Sequence, residues 1–241
     1  MSASERRDSA RTAVVWGALA RLLDGGPARI LDIGGGTGGF AVRLAGLGHR
    51  VTVVDPSPDA LAALARRARE EGVEVEGVQG DLAGLSGLLA ADDQPDLVLC
   101  HGVLEVVDDP AAALAAIRDV LRPGGRLSLL VAQRHAAVIA RAMAGHLTSA
   151  RALLEDTRAA RGATGRTGHR FTVDEVTELL AGAGLELGSV HGVRVFADLV
   201  PGALLDLEPG TTTALLELER AVSTRAEYLP LATQLHLLAT R

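Results

Sequence analysis

Short runs of valine, isoleucine and leucine alternate with longer segments rich in alanine, leucine and arginine over the first half of the chain. The runs Arg29–Ile33, Val51–Asp55, Val73–Gln79, Asp96–Cys100 and Arg126–Val131 read as strands. All but the third, in which valines alternate with polar residues, are largely apolar, as expected when both faces of a parallel sheet are covered. The intervening segments carry apolar residues at helical spacing, first through Phe40, Val42 and Leu44. Ser57 before Pro58, and Asp109 before Pro110, put a capping oxygen and a proline where a helix starts. Leu121-Arg122-Pro123-Gly124-Gly125 stops the last of these helices and turns into the fifth strand. Strand, helix, strand in this rhythm predicts βαβ units.

The rhythm changes after the fifth strand. Residues 134–169 keep helical spacing but are rich in arginine and histidine, and Gly162, Gly165 and Gly168 loosen the end of that stretch. Residues 134–170 therefore read as a helical and loop insertion serving as a substrate lid. Its basic residues Arg158, Arg161, Arg166, His169 and Arg170 belong either to a solvated loop or to a phosphate-contacting one. Thr172-Val173-Asp174-Glu175 fits a capping box for a helix running to about Gly184. Two apolar runs, Leu187–Phe196 and Leu231–Ala239, flank a helix near Thr213–Arg225 and complete a sheet of seven strands. The expected fold is a doubly wound, Rossmann-like α/β domain over residues 1–241, mostly parallel, with an antiparallel last strand.

The core must be aliphatic, since only 2% of the 241 residues are aromatic while 48% are hydrophobic. The net charge of -6 argues against a surface coated with positive charge, though not against a local basic pocket. A single cysteine, Cys100, excludes an intrachain disulfide, and its apolar strand points to a core role. The histidines show no paired spacing of metal ligands, so no metal is expected. The charged start lacks a following apolar stretch, and no run approaches the roughly 20 residues of a membrane span. A cytoplasmic protein is expected.

The candidate chemistry lies in Asp32-Ile33-Gly34-Gly35-Gly36-Thr37-Gly38-Gly39, between the first strand and its helix. Gly34, Gly36 and Gly39 match the G-x-G-x-x-G dinucleotide fingerprint. Asp32, Gly34, Gly36 and Gly38 at the same time match D-x-G-x-G-x-G, which resembles the first motif of class I methyltransferases. Asp55, ending the second strand, would accept hydrogen bonds from ribose hydroxyls under either reading. Charge separates the two. An acid at Asp32 would oppose a pyrophosphate, whereas S-adenosylmethionine carries a sulfonium and an ammonium and no phosphate. Asp81 can accept from an adenine amino group, Leu82 can pack on the ring, and Pro56 can cover its other face.

With these residues in order the chain resembles the class I S-adenosylmethionine-dependent methyltransferases over nearly its whole length. A narrower resemblance is to the tRNA carboxymethoxyuridine carboxyl methyltransferase family. It is carried by Arg11–Trp16, His101–Pro110, Gly192–Phe196 and Leu215–Glu219, of which the first and third lie outside the generic cofactor motifs. The resemblance implies methylation of a carboxylate on a wobble uridine. It also implies that Arg11 reaches the methionine carboxylate of the donor and that His101 sits beside the sulfonium and the acceptor. Trp16 would pack the first helix over the cofactor. The chain departs from that family where Ala132 and Gln133 replace an aromatic-asparagine pair and where arginines replace a lysine run in the insertion.

His101 is then either a base or hydrogen-bond donor at the acceptor, or a packing residue at a strand end. Arg194 either neutralises a substrate carboxylate or phosphate or forms a local ion pair. Glu105 is expected to orient a neighbouring loop. The expected acceptor is an oxygen, since no N-P-P-Y-type motif follows the fourth strand. The candidate partners are tRNA or a small carboxylate or hydroxyl compound, without a membrane. The competing functions are a small-molecule O-methyltransferase, a nicotinamide-dependent Rossmann enzyme and a non-catalytic cofactor-binding module.

Overall fold

The computed structural model describes residues 3–88, 93–155, 168–205 and 210–241. The strands are β1 (Arg29–Ile33), β2 (Arg50–Asp55), β3 (Glu76–Gln79), β4 (Leu97–His101), β5 (Arg126–Ala132), β6 (Glu186–Val193) and β7 (Gln234–Thr240). They form one seven-stranded sheet in the order β3-β2-β1-β4-β5-β7-β6, six strands parallel and the last antiparallel. The helices are α1 (Ala3–Leu23), α2 (Ala41–Gly46), α3 (Pro58–Glu70), α4 (Leu85–Leu88), α5 (Pro110–Val120), α6 (Arg134–Met143), α7 (Leu147–Glu155), α8 (Val173–Gly182), α9 (Gly202–Leu205) and α10 (Thr211–Val222). This is the doubly wound, mostly parallel α/β sheet with an antiparallel last strand that the sequence predicts. Among the described residues no helix is long and apolar enough to cross a membrane.

Contacts group the chain into two compact units. One holds Leu23–Leu130, Thr177–Ser189 and Leu237–Arg241; the other holds Met1–Leu22, Val131–Val176 and Val190–His236.

In the first of these, β4 lies between β1 and β5, with Ile33 opposite Cys100 and His101 opposite Leu130. Leu97, Val98, Leu99 and Cys100 are almost wholly buried, which is why that stretch reads as a continuous apolar run. Both predicted caps form. Ser57 Oγ accepts the Ala60 N–H at 3.2 Å, and Asp109 Oδ1 accepts the Ala111 and Ala112 N–H groups at 3.0 Å. Leu64 and Ala68 of α3, and Ala113, Leu114, Ile117 and Val120 of α5, form the buried faces of their helices. The third strand is shorter than the predicted Val73–Gln79. The Val73 N–H closes the end of α3 on the Ala68 carbonyl at 3.0 Å and is spent before the ladder begins.

In the other unit, Val14, Val15, Ala18 and Leu19 line the buried side of α1. Gln133 caps α6 through Oε1 and the Ala136 N–H at 3.0 Å, while its Nε2 donates to the Leu229 carbonyl at 3.1 Å. The capping box at α8 is reciprocal: Thr172 Oγ1 accepts the Glu175 N–H at 3.3 Å and Glu175 Oε2 accepts the Thr172 N–H at 2.9 Å. Glu175 also pairs with Arg134. The sixth strand stops at Val193 rather than Phe196, because Arg194 turns the chain into the left-handed region with φ of 59°. The seventh starts at Gln234, after a 3-10 turn over Ala226–Leu231. Of the insertion, α6 and α7 are helical as predicted, and Gly168, His169 and Arg170 precede the short bridge between Gln133 and Phe171. Arg158, Arg161, Gly162, Gly165 and Arg166 lie outside the described residues.

Candidate active site

The glycine turn leaves β1 at its C-terminal end, where ligands bind in doubly wound sheets. Gly34, Gly36 and Gly38 all take left-handed conformations, with φ of 66°, 56° and 80°. Gly38 is the most constrained: a Cβ there would meet Leu64 Cδ1 at 2.2 Å. A Cβ on Gly39, by contrast, would meet only Arg67 Nη1 at 3.9 Å. The glycine that the backbone requires is thus the one in D-x-G-x-G-x-G, not the third glycine of the dinucleotide fingerprint.

Two acids support this turn. Asp32 is 4% exposed, and an ideal Cβ on Gly35 would stand 2.6 Å from its Oδ2, so its carboxylate lies directly against the turn. Asp55, also buried, accepts the Gly36 N–H through Oδ2 and the Ser57 N–H through Oδ1, both at 2.9 Å. Each carboxylate oxygen has a second lone pair, which leaves room for ribose hydroxyls. The Asp55 carbonyl also accepts the Gly80 N–H at 3.2 Å, which brings the chain of Asp81 alongside. The Asp81 carboxylate is exposed and accepts the Gly84 N–H at 3.1 Å, and Leu82 is buried. Pro56 is exposed, and its carbonyl accepts from Gln79 Nε2 at 3.4 Å.

His101, half-buried at the end of β4, bonds through Nε2 to Ser128 Oγ at 2.9 Å. The edge of Phe40 meets its ring at a centroid distance of 5.1 Å and an angle of 80°. Val103, just beyond, covers Gly34, whose absent Cβ would fall 2.4 Å from its Cγ2. Cys100 is fully buried, and desolvation, aided by the charges of Glu105 and Asp32, pushes its thiol far above the usual range. It belongs to the core and is no nucleophile.

Arg11 and Arg194 belong to the other unit. Arg11 is half-buried on α1, as is Trp16. The Arg194 guanidinium donates to Asp198 Oδ2 through Nε at 2.9 Å and Nη2 at 2.5 Å, the local ion pair of the two arrangements weighed from the sequence. Thr233 Oγ1 donates to the same carboxylate oxygen at 2.7 Å. The next three N–H groups, of Val195, Phe196 and Ala197, all donate to the fully buried Glu219 at 2.9, 2.8 and 2.8 Å. Two of the segments that carry the narrower resemblance, 192–196 and 215–219, are thus bound to each other.

Sequence reasoning missed Ser128, the contact of Phe40 with His101, and the part played by Glu219. Ser128 left a trace as the one hydroxyl inside Leu127–Val131. Glu219 left another: Leu215, Glu219 and Val222 share one helical face, so its carboxylate stands where an apolar residue is expected.

A methyltransferase domain model matches residues 30–125. The tRNA 5-carboxymethoxyuridine methyltransferase of Escherichia coli K12 is 31% identical over 235 residues, covering 96% of this chain and 88% of its own. A ubiquinone biosynthesis O-methyltransferase of Xanthomonas axonopodis pv. citri is 33% identical over 178 residues, covering 72% of this chain and 69% of its own. The crystal structure of magnesium protoporphyrin IX methyltransferase from Synechocystis PCC 6803, with bound S-adenosylhomocysteine, shares the fold at a TM-score of 0.64 and 18% identity. It covers 98% of this chain and 86% of its own. Kinship of that extent, joined to a turn whose backbone needs glycine at the methyltransferase spacing, makes this chain a member of the class I S-adenosylmethionine-dependent methyltransferases, with S-adenosylmethionine as its cofactor.

Proposed function

We propose that the enzyme methylates a carboxylate, that of 5-carboxymethoxyuridine at the wobble position of tRNA, in the cytoplasm. The observation that carries this reading is the commitment of His101 Nε2 to Ser128 at 2.9 Å. An acceptor that must first lose a proton needs a base, whereas a carboxylate needs none and leaves the Nε2 of His101 to its bond with Ser128. A carboxylate, with a pKa of about 4, is ionised at neutral pH, whereas a phenol at about 10 costs roughly 4 kcal/mol to ionise there. The E. coli relative acts on a carboxymethoxyuridine of tRNA by its name, and its similarity extends over 96% of this chain.

The cradle fits the donor. The turn at Gly34–Gly38 would approach it closely, Asp55 would accept from its ribose, and Asp81 and Leu82 would meet adenine, with Pro56 on the opposite face. When bound, S-adenosylmethionine supplies a methyl activated on sulfur, whose transfer to a carboxylate breaks the C–S bond, forms a C–O bond, returns the electron pair to sulfur and moves no proton. The remaining work of the protein is alignment and exclusion of water. His101 would wall the acceptor site, and no side chain is required to remove a proton. Despite the net charge of -6, no aspartate or glutamate stands between Asp119 and Glu155, a stretch that includes Arg134, Arg141 and Arg151. This suits a phosphate backbone.

Single-turnover transfer of labelled methyl to tRNA bearing 5-carboxymethoxyuridine tests the reading. A label that mild alkali releases, as an ester does, is expected. No label in that tRNA, together with alkali-stable label in a polyprenyl phenol, would replace the reading with a small-molecule O-methyltransferase, which the similarity to the Xanthomonas enzyme favours.

A further inference from the structure

We infer that Arg67 is a positioning residue for donor binding: from α3 it braces the glycine turn in the shape that receives S-adenosylmethionine. This rests on the reading that the turn cradles the donor.

Such a turn needs bracing. Five of the six residues from Gly34 to Gly39 are glycine, and glycine gives up more conformational freedom on ordering than any other residue. A loose turn would have to be ordered as the donor binds, and affinity falls with the fraction of molecules in the competent shape. The strand β2 holds the first half: the Gly34 N–H donates to the Val54 carbonyl at 2.8 Å and the Gly36 N–H to Asp55 Oδ2 at 2.9 Å. The second half is held by α3. Leu64 is buried against Gly38, where a Cβ would come within 2.2 Å of its Cδ1. Arg67, exposed and nearly one helical turn further on, donates from Nη1 to the Thr37 carbonyl at 3.3 Å. The same nitrogen stands 3.9 Å from the place of a Cβ on Gly39. Residues three apart share a helix face, so this face of α3 backs the turn from Thr37 to Gly39. The helix is itself anchored by the Ser57 cap and by buried Leu64 and Ala68, so the guanidinium reaches the turn from a fixed support. Charge argues for the same role. S-adenosylmethionine carries a sulfonium, an ammonium and one carboxylate, so its net charge is positive, and a guanidinium has the wrong sign to attract it. What Arg67 contributes is a long side chain ending in a donor on a backbone carbonyl.

The test is calorimetry on the full chain with S-adenosylmethionine and with S-adenosylhomocysteine, which lacks the sulfonium, comparing the native protein, Arg67→Ala and Asp55→Ala. Amide hydrogen exchange at Gly36 and Gly38, both hydrogen-bonded, reads the order of the turn. Arg67→Ala should weaken both ligands alike, about fourfold, the scale of one exposed hydrogen bond. It should speed exchange of the two amides in the free protein, and the difference should vanish once S-adenosylhomocysteine saturates the site. The melting temperature of the free protein should stay within about 1 °C, since the bond lies at the surface. Unchanged affinities and exchange would overturn the inference. So would tighter binding of S-adenosylmethionine alone, which would leave Arg67 only a repelling charge. A fall of several degrees in the melting temperature alongside the lost affinity would overturn it too, making Arg67 a support of the fold at large. Native affinity in Asp55→Ala would instead remove the reading of the turn as the donor's cradle.

Discussion

Glu219→Gln isolates what one buried carboxylate does for the segment after β6. In the native chain Oε2 accepts the Val195 N–H at 2.9 Å, and Oε1 accepts those of Phe196 and Ala197 at 2.8 Å. An amide in the same place keeps one oxygen. The two bonds to it lose their ionic character, about 1 kcal/mol each, since hydrogen bonds to charged groups run at roughly twice the strength of neutral ones. At the other oxygen the amide NH2 faces the Val195 N–H, donor against donor, and an unsatisfied buried N–H costs about 2 kcal/mol. Removing a buried charge returns some of the desolvation it imposed. The net expectation is a loss of about 3 kcal/mol, a large part of a typical total of roughly 5–15 kcal/mol. The effect should be local first, because the same three bonds hold the turn after Arg194, whose left-handed backbone is itself unfavourable by about 1–3 kcal/mol. Urea unfolding followed by circular dichroism reads the global cost, and amide hydrogen exchange at Val195, Phe196 and Ala197 reads the local one. A midpoint shift equivalent to under about 0.5 kcal/mol, with those amides still protected, would refute the reasoning.

Other perturbations follow from the same geometry. Asp55→Ala should weaken S-adenosylhomocysteine binding about 100-fold in calorimetry, the worth of one or two charge-assisted bonds to ribose, and near-native affinity would remove Asp55 from the cofactor site. Gly38→Ala should cost about 3 kcal/mol, combining left-handed strain with a Cβ 2.2 Å from Leu64 Cδ1, whereas Gly39→Ala should be close to neutral; equal effects in thermal melts would contradict the assignment of the turn. Burial lowers the pKa of His49, and its Nδ1 accepts the Ala28 N–H at 3.2 Å, so the fold prefers the neutral ring. The unfolded chain then takes up a proton that the folded chain resists. His49 stability is full above the ordinary histidine pKa of about 6.5 and is lost as pH falls from there through the lowered folded value. His191, also lowered by burial, adds in the same direction. His49→Asn, which keeps the acceptor but cannot titrate, should flatten part of the fall in melting temperature between about pH 6.5 and 5; an unchanged slope would exclude His49.

What was legible in the chain was its local grammar. Ser57, Asp109 and the Thr172–Glu175 pair announce their helices because capping chemistry is short-range and confined to a few residue types. The glycine turn was legible for a related reason: left-handed backbone needs glycine, as at Gly34, Gly36 and Gly38. What stayed hidden depends on pairings distant in sequence. Nothing around Arg194 signals a positive φ on an arginine, because the acceptor that holds the following turn is Glu219, more than twenty residues on. Ser128 and Glu219 could be noticed as polar residues at apolar positions, but their partners, His101 and the Val195–Ala197 amides, are fixed only by strand register and helix placement. The start of β3 was misjudged because a helix end competes with the sheet for the Val73 N–H.

Cys100 closes the list of useful accidents. It is the chain's single thiol, and it lies in β4 between Ile33 of β1 and Leu129 of β5 with no exposed surface. A disulfide reagent added to the folded enzyme will react only through moments when the middle of the sheet parts, so the colour it develops is a clock for those openings. Saturating the protein with S-adenosylhomocysteine should slow that clock, as expected of a cofactor that binds the closed sheet in preference to the opened one, and would gauge cofactor affinity without a methyl acceptor.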